Sequence, residues 1–258
     1  MCILSYFPPD TPIDEQALIN GGISNPHGHG WAIVVDDSFI VMDKSLDLME
    51  AIEKFDIARA RYPGGPALFH SRWATHGSLG VENVHPFLVG GSHLTVVAHN
   101  GILPESAHPS KGDRRSDTRK FADEMLPCQF RQLDNAVSRY ALTKWCGPGN
   151  KLVILTVDPR YKCSAYIINE SAGKWDTATG VWHSNDSYLD APRDYRASSA
   201  RVSVSGEPCQ VCRFGVSDGN GYCEICRSCQ DCEEPIRTCL CWTSPSVVTA
   251  RASRGGLW

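Results

Sequence analysis

His70-Ser-Arg-Trp-Ala-Thr-His-Gly77 joins a short apolar run, Pro66-Ala-Leu-Phe69, to the turn-forming pair Gly77-Ser78. The apolar run reads as a buried strand and the Gly-Ser pair as a turn. Arg72, Thr75 and His76 are therefore expected where a strand passes into a loop, the usual station of residues that hold a substrate. The Arg72 guanidinium is a planar fork of donors suited to a carboxylate, and a hydroxyl and an imidazole follow three and four residues on. A lone loop arginine is most often a surface charge. Its weight here comes from three other stretches: Met1-Cys2, His99-Asn100-Gly101 and Ser116-Asp117-Thr118.

Working outward, Ile3 to Phe7 has strand character, and residues 11–20 read as a short helix ending near Gly21-Gly22. His29 to Val35 and Phe39 to Met42 form a hairpin pattern around Asp36-Asp37-Ser38. Ser45 is the expected cap of a helix running to Tyr62, and Pro63-Gly64-Gly65-Pro66 ends it. Leu94-Thr-Val-Val-Ala98 is a buried strand leading straight into His99-Asn100-Gly101, and residues 104–115 form a loop. Ser116 is the expected N-cap of a helix through Met125, with Asp117 in its first turn. Leu133, Val137, Tyr140, Ala141 and Trp145 fall at amphipathic-helix spacing, stopped by Gly147-Pro148-Gly149. Strand-like runs follow at 151–157, 164–169 and 179–184. This order lacks the strict alternation of a doubly wound fold. It suits an α+β architecture of two antiparallel sheets packed face to face with helices outside.

Apolar and charged contents of 42% and 21% are those of a chain able to bury a real core. A net charge of −4 offers nucleic acid or a membrane surface no electrostatic attraction. No window approaches the length of a membrane-spanning apolar segment. The start, Met-Cys-Ile-Leu-Ser-Tyr-Phe-Pro-Pro, lacks the basic region of a secretory signal. The expected location is cytoplasmic.

Cys2 reads most simply as a small apolar residue opening the first strand. If Met1 is clipped, a thiol and a free α-amine share one residue. With a reference pKa of about 7.7–8.0, that amine is a general base beside its own nucleophile. The full set comprises Cys2, Arg72-Trp-Ala-Thr-His-Gly77, His85-Pro86-Phe87, His99-Asn100-Gly101 and Ser116-Asp117-Thr118. It resembles the class II (N-terminal nucleophile) glutamine amidotransferases, over about residues 2–190. Asn25-Pro-His-Gly-His-Gly-Trp-Ala32 resembles the early Gly-rich motif of the free-standing members, and Ser184-Asn185 resembles a late Ser-Asn/Asp motif.

That resemblance implies the four-layer αββα sandwich of the N-terminal-nucleophile (Ntn) hydrolases. It also implies roles. Cys2 attacks the side-chain amide of glutamine, giving a γ-glutamyl thioester and ammonia. Asn100, by its side-chain amide, and Gly101, by its backbone N–H, form the oxyanion hole. Arg72 clamps the α-carboxylate, helped by Thr75 and His76, and Asp117 binds the α-ammonium at a helix N-terminus that favours negative charge. Departures exist. The early motif reads His27-Gly-His-Gly where relatives often carry Asp-Gly-Trp-Gly; His27 and His29 are read as packing or loop residues over metal ligands. His70, His85 and His99 are expected to make structural hydrogen bonds. With no synthase domain after residue 200, ammonia is expected to pass to an acceptor enzyme on a separate protein. Two other readings stay open: an Ntn hydrolase of another γ-glutamyl or amide substrate, and a zinc-ribbon interaction module carrying an inactive hydrolase domain.

Of the 12 cysteines, eight lie between Cys209 and Cys241. In a reducing compartment that density reads as metal ligation. Cys209-x2-Cys212 and Cys223-x2-Cys226-x2-Cys229-x2-Cys232, followed by Cys239-x-Cys241, are spaced for about two structural zinc ions. A ferredoxin run has three residues before its fourth cysteine, followed by Pro, and this one does not. The expected organisation is a 2–195 catalytic domain, a 196–207 linker, a 208–242 zinc-binding segment and a 243–258 polar tail.

Overall fold

The computed structural model describes residues 2–189, together with Val211, Ser228, Cys229 and Cys232. The chain divides into two units, Met1–Arg201 and Val202–Trp258. In the first, β1 (Ile3–Phe7), α1 (Glu15–Ser24), β2 (His29–Val35), β3 (Phe39–Ser45), α2 (Leu48–Arg61) and β4 (Ala67–Ser71) come in that order. After β5 (Phe87–Val89) and β6 (Ser92–Asn100) comes a helical stretch: α3 (Asp117–Lys120), a π turn (Phe121–Met125) and α4 (Leu126–Gln129). Then follow α5 (Ala136–Cys146), β7 (Lys151–Thr156), β8 (Ala165–Ile168), β9 (Lys174–Trp175) and β10 (Trp182–His183).

Two antiparallel sheets result, ordered β3-β2-β4-β1-β10-β9 and β5-β6-β7-β8. Alternation along each strand decides what each residue meets. Leu4, Ala32, Val34 and Leu68 of the larger sheet share one core with Val96, Ala98, Val153 and Leu155 of the smaller. The residues between them face outward. Phe7, Trp31 and Phe69 meet Phe55 of α2 at ring separations of 5.3–5.8 Å. On the other side Val97, Leu152 and Ile154 pack with Phe121, Leu126 and Leu142 of the helices. The layers are helix, sheet, sheet, helix, as expected.

Several boundaries moved, each for a local reason. Asp14 accepts from Ala17 N, so α1 starts at Glu15. It continues through Gly21-Gly22 to Ser24, where a Cβ at Gly22 would lie 2.3 Å from Leu48 Cδ1, so glycine lets α1 and α2 approach without displacing that side chain. The cap of α2 is Asp47, not Ser45, whose hydroxyl accepts from Asp47 N and donates to Glu50. Leu126 N–H reaches back to Phe121 O, the five-residue spacing of a π turn, just before Pro127, which has no N–H to continue the ladder. Asn135 caps α5 through Val137 N, leaving Leu133 outside the helix. The face of α5 read as buried is partly the outer one: Val137 and Tyr140 are 75% and 61% exposed, while Leu142 and Cys146 are buried. Periodicity finds a stripe without saying which stripe meets the core.

Candidate active site

Strand parity brings the chemistry together. Cys2 shares the inward parity of Leu4, and Asn100 that of Ala98, so both arrive at one end of the space between the sheets. Cys2 Sγ accepts a hydrogen bond from Trp73 N at 3.2 Å and lies 3.5 Å from Trp73 O. Burial pushes the thiol up, against the opposing pull of the Trp73 N–H and the Arg72 charge. Burial thus favours the neutral thiol at Cys2.

One small cavity is lined by Cys2, Arg72, Thr75, His76, Gly101 and Asp117, among others. Six of the seven residues assigned to chemistry from the sequence thus meet there. Its free space is about 10 Å3, room for one water. Arg72 is buried and donates from its two terminal nitrogens to His76 O (2.7 Å) and Ser78 O (2.8 Å), carbonyls of its own loop. Thr75 is exposed and His76 half-buried, its ring 4.6 Å from that of His108. Asp117 is buried at the start of α3, where one carboxylate oxygen accepts from Leu103 N and the other from Thr118 N. Ser116 caps the same helix by accepting from Arg119 N. Gly101 has φ 143°, and a Cβ there would meet Asn150 Oδ1 at 2.2 Å.

Asn100, the seventh, is fully buried behind the cavity wall. Its Nδ2 lies 2.8 Å from Ser184 Oγ, and its Oδ1 has no partner. Ser184 Oγ already accepts from Leu4 N at 2.9 Å. Exchanging the amide oxygen and nitrogen lets Ser184 donate to Asn100 Oδ1 and frees Nδ2 as a donor. Such exchanges are decided by the network rather than by atom positions. Either orientation makes one hydrogen bond to Ser184; the exchanged one leaves Nδ2 rather than Oδ1 unpaired. Ser184 and its neighbour tie down the nucleophile as well: Asn185 Nδ2 donates to Cys2 O at 2.7 Å. The sequence marked Ser184-Asn185 as a motif without giving it a task; the task is this clasp.

His27 Nδ1 accepts from Ala74 N, and its ring lies 5.0 Å from Trp73. His29 is buried against Ser71 Oγ, and burial holds it down to about 3. His99 bridges Thr118 Oγ1 and Asn150 Oδ1. Among the described residues no group of three or more His, Cys, Asp or Glu is placed to hold a metal. Cys209, Cys212, Cys223, Cys226, Cys239 and Cys241 lie outside the described residues; Cys229 is buried and Cys232 exposed. No described helix is long and apolar enough to cross a membrane.

No protein-family model matches the chain. Local similarity runs to glutamine–fructose-6-phosphate aminotransferases (isomerizing). With that of Corynebacterium efficiens the identity is 42% over 71 residues, covering 27% of this chain and 11% of the relative. With that of Vibrio cholerae it is 37% over 78 residues, covering 29% and 12%. The chain therefore spans only a small part of the length of the curated relatives it matches. Among solved structures, the B. subtilis glutamine phosphoribosylpyrophosphate amidotransferase aligns with 71% of this chain and 41% of its own, at 16% identity and a TM-score of 0.44. A glutamine aminotransferase class-II domain protein from Silicibacter pomeroyi aligns with 71% of this chain and 87% of its own, at 13% identity and a TM-score of 0.36.

Proposed function

We propose that this chain hydrolyses glutamine at Cys2 after loss of Met1 and supplies the ammonia to an acceptor on a separate protein. The observation that carries the reading is the gathering of a nucleophile, an arginine and a carboxylate around one cavity. That set has one charge for each charged end of an amino acid. The freed α-amine takes the Cys2 proton, which burial otherwise keeps on sulfur. The thiolate adds to the amide carbon, and the oxyanion is held by Gly101 N–H and Asn100 Nδ2. The protonated amine returns its proton to the departing nitrogen, giving ammonia and a thioester. Water then releases glutamate and restores the thiol. Arg72 exchanges its loop carbonyls for the substrate carboxylate, and Asp117 receives the ammonium.

Intact mass is expected to show a mature chain starting at Cys2. Cys2→Ala is expected to abolish both glutaminase activity and labelling by diazo-oxo-norleucine, with the circular dichroism spectrum unchanged. Active enzyme still carrying Met1 overturns the mechanism.

The eight clustered cysteines, Cys209 to Cys241, are in this reading an all-thiolate shell for structural zinc, a donor set suited to that ion. Elemental analysis is expected to find about two zinc per chain. Iron with sulfide in its place overturns that part alone.

A further inference from the structure

Five buried side-chain polar atoms among the described residues have no hydrogen-bond partner, and two of them, His76 Nδ1 and His85 Nε2, belong to residues that line the Cys2 cavity. A buried orphan of this kind is costly and asks for an explanation. For His85 the protons can be placed one at a time. His70 Nε2 lies 3.0 Å from His99 O, and a carbonyl only accepts, so that nitrogen carries the hydrogen. Both rings are buried, and desolvation first, then neighbouring imidazoles and charges, holds them well below the ordinary imidazole range. Each ring is neutral and has one N–H. His70 Nδ1 is thus a bare lone pair, and His85 Nδ1, 3.2 Å away, must donate to it. His85 Nε2 is left unprotonated: an acceptor, locked in that state by a backbone carbonyl two rings away.

Building on the glutaminase reading, we propose that His85 Nε2 accepts an N–H of the substrate's side-chain carboxamide and is the atom that separates glutamine from glutamate. The carboxamide then turns its oxygen to Gly101 and Asn100 and its nitrogen to His85. A carboxylate has no hydrogen to offer, so it meets the fixed lone pair with its own, and the glutamate product is repelled. A site built to receive an N–H discriminates strongly against an analogue without one.

The test compares glutamine with the γ-methyl ester of glutamate, which forms the same thioester at Cys2 but has no N–H on its leaving group. In His85→Phe, kcat/KM for glutamine is expected to fall roughly tenfold or more, while that for the ester changes little. Equal losses on both substrates, with full labelling of Cys2 by diazo-oxo-norleucine, would show a purely structural histidine and overturn the proposal. Should the Phe variant not fold, His85→Gln serves. Its amide keeps a donor for His70 and then presents its carbonyl oxygen where Nε2 stood, so the preference for glutamine over the ester is expected to survive; loss of that preference overturns the proposal. A wild-type protein that turns over neither substrate and is not labelled at Cys2 removes the underlying glutaminase reading instead.

Discussion

The two sides of the Cys2 cavity are built by different means. One side is strand and its immediate support: Cys2 and Asn100, clasped by Ser184 and Asn185, all but the last buried and fixed by sheet registers. The other is the loop from Trp73 to Gly80, partly exposed, with Gly77 at φ 78° and Arg72 bonded to the loop's own carbonyls. In the proposed reaction the first side sets where bonds break and the second decides what enters. Close packing and long-range hydrogen bonds make the first stiff, whereas a surface loop can exchange its internal bonds for a substrate's.

This contrast can be broken from either side. The largest loss after Cys2 itself is expected at Asn100. Asn100→Ala should lower kcat by a factor of about 10²–10³ with KM nearly unchanged, the signature of a donor used only in the transition state. Ser184→Ala leaves the Asn100 amide present but unheld, and a smaller fall in kcat, roughly tenfold, is expected. A KM effect at either position would place it on the loop side of the comparison.

At the two charged ends of the proposed substrate, Arg72→Lys beside the loop keeps the charge and loses the fork, and Asp117→Asn at the start of α3 removes the ammonium's partner. Each should weaken kcat/KM for glutamine by roughly 2–4 kcal/mol, mainly through KM. Normal turnover by both variants would mean the substrate's charged ends bind elsewhere.

Acid should loosen the strand side before it touches the clamp. The buried His29 is held at about 3, and His183, stacked on Tyr188, at about 4. Both rings take up a proton far more readily once unfolded, near pH 6.5. Their full contribution is present above pH 6.5 and is lost as pH falls from there toward 4 and then 3. At pH 5 the loss is up to about 2 kcal/mol per ring. Urea unfolding at pH 7 and pH 5 measures it, and His29→Gln should flatten the slope. An unchanged slope would mean that His29 is already protonated in the folded protein.

Much of this was legible from residue order. Five motif stretches contain all eleven residues that line the cavity, six of them with an expected role, and Asn100 behind them, and the apolar runs pointed to the sandwich. The misreadings share one cause. Val137 and Tyr140 keep helical spacing on the outer face of α5, because spacing carries no information about which neighbour covers it. Ser45 looked like a cap, but Asp47 is better placed, and Ser45 finishes β3 instead. His70, His85 and His99, by contrast, make the structural hydrogen bonds expected of them.

By itself, then, the sequence determined which chemical groups are present and the parity that sends Cys2 and Asn100 inward from their strands. Tertiary structure alone decided how those groups are held. The bonds that orient them join residues 84, 180 and 183 positions apart: Asn100 to Ser184, Leu4 to Ser184 and Asn185 to Cys2. No local pattern records such pairs, because they form only when two sheets close on each other and every polar group left between them must find a partner.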